Sequence, residues 1–274
     1  MNGTLELGFD NSGAAGATRL AHLHQAAPLR ALFPETCRMD LPVAALTATC
    51  GGFTGGDRMT TAISMGAGTK AMAIAQAAEK LYRSTGQETE IEIALDVEAG
   101  GWLEWLPQET ILFNGARMRR RTSIDLAEDA SVLAGEILVF GRAAHGETMT
   151  SGLVHDAWSV KRNGMLIWAD RFHAADAQLI EALEHPAALK GVRAAAMLVH
   201  AVPGAEQRLT LLRDLMQIAP AEVRCAATVV NGVLIARWLA PGALALRSSF
   251  AAAWMALRHD AQGLAPRLPS FWLH

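Results

Sequence analysis

GGWLEWLPQETILFNGARMRRRTSID, residues 100–125, joins two apolar runs, a break, a turn and a charge run without interruption. Trp102-Leu103-Glu104-Trp105-Leu106 reads as a strand holding one carboxylate, and Pro107 stops its ladder because proline donates no backbone hydrogen bond. Thr110 to Phe113 is a second run and ends at Asn114-Gly115. That pair favours positive φ, so the spacing predicts a type I′ hairpin with Ile111-Leu112-Phe113 folded back on Ala116-Arg117-Met118. The run Arg117, Arg119, Arg120, Arg121 reads as a solvated strand face or a protein-docking edge rather than a phosphate site.

Upstream the pattern stays that of strands. From Glu90 to Glu98, Ile91, Ile93, Leu95 and Val97 alternate with Glu92, Ala94, Asp96 and Glu98, so one face packs while the other meets water or a charged partner. Met59 to Met65 and Lys70 to Gln76 are strand-like, separated by Gly66-Ala67-Gly68. The second of them puts Met72 and Ile74 on one face and Ala71, Ala73 and Ala75 on the other, a strand covered on both sides with little room on one. Val43 to Cys50 runs into Gly51-Gly52-Phe53-Thr54-Gly55-Gly56-Asp57, which lacks the lysine and hydroxyl of a phosphate loop. Thr4 to Gln25 reads as two short strands around the glycine-rich NSGAAGAT. His22 and His24 share a face there, a spacing usable for metal, but no third ligand is recognisable nearby. Pro28 and Pro34 bracket LRALF.

Downstream, Ser131 to Phe140 carries the lone acid Glu136 between Gly135 and Ile137. Asn163-Gly164 predicts a hairpin of Trp158–Arg162 against Met165–Ala169, with Asp170-Arg171 ending its second arm. The body is therefore expected to be all-β. The pattern changes near Ala177. Leu209, Leu212 and Met216 predict a helix; Glu222–Val230 and Val233–Leu239 predict strands joined by Asn231-Gly232. A last helix, Leu244 to His259, carries Phe250, Ala253, Trp254 and Leu257 as a core stripe, and the tail PRLPSFWLH should lie extended on the body. The expected fold class is mainly β with a smaller C-terminal α+β part containing two helices. Residues 1–190 form the β-rich body and residues 191–274 the part packed on it.

Composition narrows the function classes. The chain has 274 residues, 51% of them hydrophobic, which is ample core material, and a net charge of −3 gives no pull toward nucleic acid or anionic lipid. MNGTLELGFD lacks the features of a secretory leader and no run approaches a membrane span, so a soluble, cytoplasmic protein is expected. Cys37, Cys50 and Cys225 lack CxxC spacing and read as reduced, buried thiols. There is no HExxH, no GxSxG and no phosphate loop. What stands out is Asp57, Glu104, Glu136 and Asp170, acids in apolar or glycine-rich strand contexts. Each has an ordinary reading as a hydrogen-bonded structural carboxylate; together they suit either acid/base work on a sugar or loose coordination of a divalent metal.

GGFTGGD at 51–57, QAAEKLYRS at 76–84, WLEWLPQETILFNGA at 102–116 and GEILVFGRAAHGE at 135–147 closely resemble the UreD (UreH) family of urease accessory proteins. LAHLHQAAPLRALFP near the start and PRLPSFW near the end fit too, so the likeness covers nearly the whole chain. The resemblance implies a layered, helix-like winding of strands. It implies a non-catalytic scaffold that binds UreF, through it the GTPase UreG, and docks both on apo-urease. It also implies no stably bound cofactor, with nickel(II) in transit to the buried urease site. Asp57, Glu136 and Asp170 then fall on the internal nickel path, with Lys80 and Glu104 lining it or nearby. High apolar content with only 19% charged residues suits a protein buried in a complex, so the C-terminal helix and the PSFW tail, through Phe250, Trp254, Phe271 and Trp272, are the candidates for the UreF-facing surface. Isolated carboxylates suit such transit, since thiolate or imidazole clusters would hold nickel tightly. The alternative is a β-solenoid carbohydrate-active enzyme using Glu104, Glu136 or Asp170 as acid and base. A metal-storage protein would want a His- or Cys-rich tract, which the sequence lacks.

Overall fold

The computed structural model describes residues 1–13, 16–35, 40–142 and 145–272. The strands begin with β1 (Asn2–Asp10), β2 (Arg19–Ala26), β3 (Leu29–Leu32), β4 (Val43–Ala48), β5 (Arg58–Met65), β6 (Lys70–Ala75) and β7 (Glu79–Leu81). They continue with β8 (Thr89–Val97), β9 (Trp102–Leu106), β10 (Glu109–Leu112), β11 (Arg117–Leu126), β12 (Ser131–Phe140), β13 (Leu153–Arg162) and β14 (Met165–Ala175). Helix α1 (Asp176–Glu184), β15 (Ala194–Ala201), α2 (Leu209–Gln217), β16 (Arg224–Val230), β17 (Val233–Ala240) and α3 (Ala243–Gln262) complete the order.

Two sheets face each other. The first has the order β14-β13-β11-β8-β5-β1-β2; the second runs β16-β17-β15-β12-β9-β6-β4-β3, with β10 joined to β12 and β7. From β4 to β13 the chain crosses back and forth, laying parallel strands alternately on each sheet. This is the expected mainly β, helix-like winding. It explains the period-two patterns: Ile91, Ile93, Leu95 and Val97 turn into the gap between the sheets, where they meet Leu103, Trp105, Val132 and Ala134. The second sheet is covered on both faces. Its outer face, with Met72, Ile74, Trp102, Leu106, Leu133 and Ile137, forms a second core under α2 and α3. The alanines of β6 face the tighter inter-sheet side, as their spacing predicts.

The hairpin expected at Asn114-Gly115 does not form. β10 belongs to the second sheet and β11 to the first, so the turn is a corner of the winding. Gly115 does take a positive φ of 81°, but Asn114 Oδ1 accepts from the backbone N–H groups of Thr150 (2.8 Å) and Ser151 (3.2 Å), docking the corner on the next one. The other two Asn-Gly pairs make the predicted hairpins, β13 with β14 and β16 with β17. In the former the second arm continues past Asp170-Arg171 to Ala175. A third helix, α1, follows it, where two helices were expected. The tail is not wholly extended: Ser270–Trp272 makes a short helical turn, and Trp272 donates from Nε1 to the Pro107 carbonyl at 3.3 Å.

One irregularity positions the candidate site. The second sheet is interrupted on successive turns, at 76–78 between β6 and β7 and at Pro107-Gln108 between β9 and β10. β12 runs unbroken past this fault, pairing Ala134 with Trp105 and then Ile137 with Glu109. Gly135 and Glu136 therefore stand opposite the gap that Pro107 opens. A Cβ on Gly135 would lie 2.6 Å from the Phe250 ring, so the glycine admits α3 on one face while Glu136 turns inward on the other.

Candidate functional site

The fault in the second sheet leaves a cavity of about 210 Å³ between the sheets. Cys50, Gly52, Ala78 and Lys80 line it on one side and Arg120, Glu136 and Trp158 on the other. A second cavity of about 420 Å³ shares Glu136 and Trp158 with the first and reaches Asp156, Asp170, Arg237 and Leu189. Each has room for several waters, since one needs only about 10–15 Å³.

A charged cluster stands between them. Arg120 donates through Nη2 to both Glu136 and Asp156, through Nε to Asp156 Oδ1 at 3.1 Å, and through Nη1 to Thr110 Oγ1 at 3.3 Å. Trp158 Nε1 donates to Glu136 Oε2 at 3.1 Å. All five residues are buried. Burial holds the Glu136 carboxyl well above the usual carboxylate range; the Arg120 charge opposes this and the neighbouring Asp156 charge adds to it. Glu79 lines the first cavity, its carboxyl raised by burial against the pull of Arg120; Thr122 lines it too, and its buried hydroxyl has no partner among the described residues.

Of the residues named from the sequence, Glu136 and Asp170 are brought to one connected space. Asp170 is half-buried at the outer end of the second cavity, where it meets Arg237 Nη2 of the opposite sheet at 2.8 Å. Lys80 is exposed at the rim of the first. Asp57 stands apart: its carboxylate accepts from Thr54 N at 2.8 Å and from the Met1 amine, closing the glycine-rich loop, and it lines neither cavity. Glu104 lines neither cavity. It is fully buried on the outer face of the second sheet, accepting from Trp102 Nε1 (3.2 Å), Trp254 Nε1 (2.8 Å) and Arg258 Nε (3.1 Å). Strand alternation separates it from Glu136, so the two cannot flank one bond as acid and base. Phe250, Trp254 and Trp272 are buried in the second core and present no surface; Phe271 is partly exposed.

Arg120, Asp156 and Glu79 are the site residues that reading by residue type misses. Counting by twos finds the first two. Arg120 shares a face with Met118, Thr122, Ile124 and Leu126, and Asp156 with Val154, Trp158 and Val160. Arg117, Arg119 and Arg121 take the outer face as expected, paired with Asp176, Glu88 and Glu92. His22 Nε2 lies 3.2 Å from Glu6 on an exposed face. Cys50 and Cys225 are free and half-buried, and Cys37 lies outside the described residues. Among the described residues no group of three or more His, Cys, Asp or Glu side chains is gathered to hold a metal, and no helix is long and apolar enough to cross a membrane.

Comparison with known proteins agrees with the motifs. The family model described as UreD urease accessory protein matches residues 1–273. A urease accessory protein UreD of Magnetococcus marinus is 42% identical over 260 residues, covering 94% of this chain and 89% of its own length. One of Azorhizobium caulinodans is 42% identical over 272 residues, covering 98% and 95%. A UreD 2 of Methylorubrum populi is 40% identical over 258 residues, covering 92% and 86%. With a family model spanning nearly every residue and relatives matched along most of their length, the chain belongs to the UreD urease accessory protein family.

Proposed function

We propose that this accessory protein, which is not itself an enzyme, carries nickel(II) through the space between its sheets toward apo-urease while holding UreF, and through it UreG, on the client. Its compartment is the cytoplasm, with which the free thiols of Cys50 and Cys225 accord. The observation that carries the transit reading is that two cavities meet at one buried carboxylate, Glu136, and that a second acid, Asp170, stands where the farther cavity ends. Nickel is the cargo. Carboxylates strung along a passage exchange with its water ligands and release it, whereas a closed set of three or four donors would retain it. Asp57 and Glu104 have no part in this route, given where they lie.

Glu136→Gln tests it. Gln keeps the shape and an acceptor for Trp158, so the fold and the assembled complex should persist while urease activation falls about tenfold or more, equivalent to ~1.4 kcal/mol on a barrier. Urease specific activity and nickel content, measured in cells expressing the full accessory set, give the answer. Normal activation in both Glu136→Gln and Asp170→Asn would refute the route and leave only a docking role.

A further inference from the structure

The two cavities share a wall, and that wall is a salt-bridged cluster. An ion moving from one to the other must open it. We propose that Arg120 is the gate: its guanidinium leaves Glu136 and Asp156 for Glu79, and the two vacated carboxylates receive a divalent cation where Nη2 had been. This deepens the transit reading and rests on it.

Three observations carry the proposal. First, one nitrogen of Arg120 donates to both acids, so Glu136 and Asp156 already converge on a single cationic point. A metal ion seated at that point would meet one oxygen of each carboxylate. Second, an alternative anchor is waiting. The Glu79 carboxylate makes no hydrogen bond or ion pair among the described residues, yet it lines the same cavity as Arg120. It is also the register partner of Thr110, which Arg120 Nη1 already contacts at 3.3 Å, and parallel partners point to the same side of a sheet. The guanidinium therefore has a short swing with a hydrogen-bonded stop on the way. Third, the charges match. Three carboxylates, Glu79, Glu136 and Asp156, face one guanidinium, and with all of them ionised this leaves two negative charges, those that one divalent cation neutralises. In the closed arrangement Arg120 satisfies the buried acids; in the open one the cation does, and Arg120 is satisfied by Glu79.

Glu79→Gln is the decisive variant, because Glu79 bonds nothing in the closed arrangement and its loss should not disturb folding. Urease activation should fall about tenfold, with the accessory complex recovered in normal yield and an unchanged thermal transition, and Glu79→Asp should restore at least half of it. Normal activation by Glu79→Gln overturns the gate. Equilibrium dialysis of the full-length chain against Ni2+ tests the cation site. Arg120→Gln should retain one ion per chain more than the parent, lost again in Arg120→Gln/Asp156→Asn. A folded Arg120→Gln chain that gains no ion overturns the cation site. If Glu136→Gln impairs activation and Glu79→Gln does not, the route stands and the gate falls; if neither impairs it and Asp170→Asn does not either, the route falls with the gate.

Discussion

At the scale of single residues, the second core holds a titratable group that constrains the pH range of the fold. His200 is fully buried beside Trp102; its Nδ1 donates to the Val132 carbonyl at 3.1 Å, and its Nε2 has no partner among the described residues. Burial pushes its pKa down to about 4, outweighing the hydrogen bond. The folded chain therefore keeps His200 neutral while the unfolded chain takes up a proton near the ordinary value of about 6.5. The stability it contributes is fully present above that pH and is lost as the pH falls toward 4. Between pH 7 and pH 5 the loss should be about 2 kcal/mol. His200→Leu removes the titrating group at similar volume. Urea unfolding at both pH values should show the parent losing about 2 kcal/mol more than the variant. Equal losses would mean that His200 does not set the acid sensitivity between these pH values; carboxylates held below their usual range, such as Asp57 and Glu88, lose their contribution only at lower pH.

At the scale of elements, α3 is held to the second sheet by more than its apolar stripe. Arg258 is buried and donates to Glu104 on β9 and to Asp40 Oδ1 at 2.7 Å, while Trp254 donates to the same Glu104. Removing one partner strands the other charge. Glu104→Leu or Arg258→Met alone should each cost about 3–5 kcal/mol, and the double variant clearly less than their sum. Additive costs in chemical denaturation would show that the pair is not coupled. The stripe of α3 was legible because helical spacing gathers Phe250, Ala253, Trp254 and Leu257 on one side, and all four are buried. Its buried charge was not legible, because an Arg on β-like or helical spacing gives no sign of which distant acid it meets. The strands were legible through alternation, and two Asn-Gly turns through their need for positive φ. The third misled because Asn-Gly fixes a local bend and not the sheet that the next strand joins. At Asn114-Gly115 the neighbouring turn of chain decides, through its backbone N–H groups at Thr150 and Ser151. Glu136 and Asp170 could be singled out as acids in strand contexts. Arg120 and Asp156, which stand against Glu136, sat inside runs of mixed character, and only register shows that one residue in two turns inward.

At the scale of the whole molecule, the two cores are packed differently. The outer core under α2 and α3 is filled by Trp102, Trp238, Trp254 and Trp272, each almost wholly buried. The inter-sheet core is left incomplete along the fault, so that Thr61, although it faces inward from β5, is only partly buried and lines the first cavity. A chain selected for stability alone would fill such a space, since close packing is the norm and cavity-filling substitutions often stabilise. Thr61→Phe should do this: the ring has empty volume to occupy without moving backbone. The variant should be at least as stable as the parent in thermal unfolding, yet activate urease about tenfold less well, because the passage is blocked. Thr61→Val keeps the parent's size and removes only the hydroxyl, so it should activate normally. Recovery of the accessory complex in normal yield would confine the defect to transit. A folded Thr61→Phe chain that activates urease as the parent does would mean that the cargo never crosses this cavity, whatever the roles of Glu136 and Arg120.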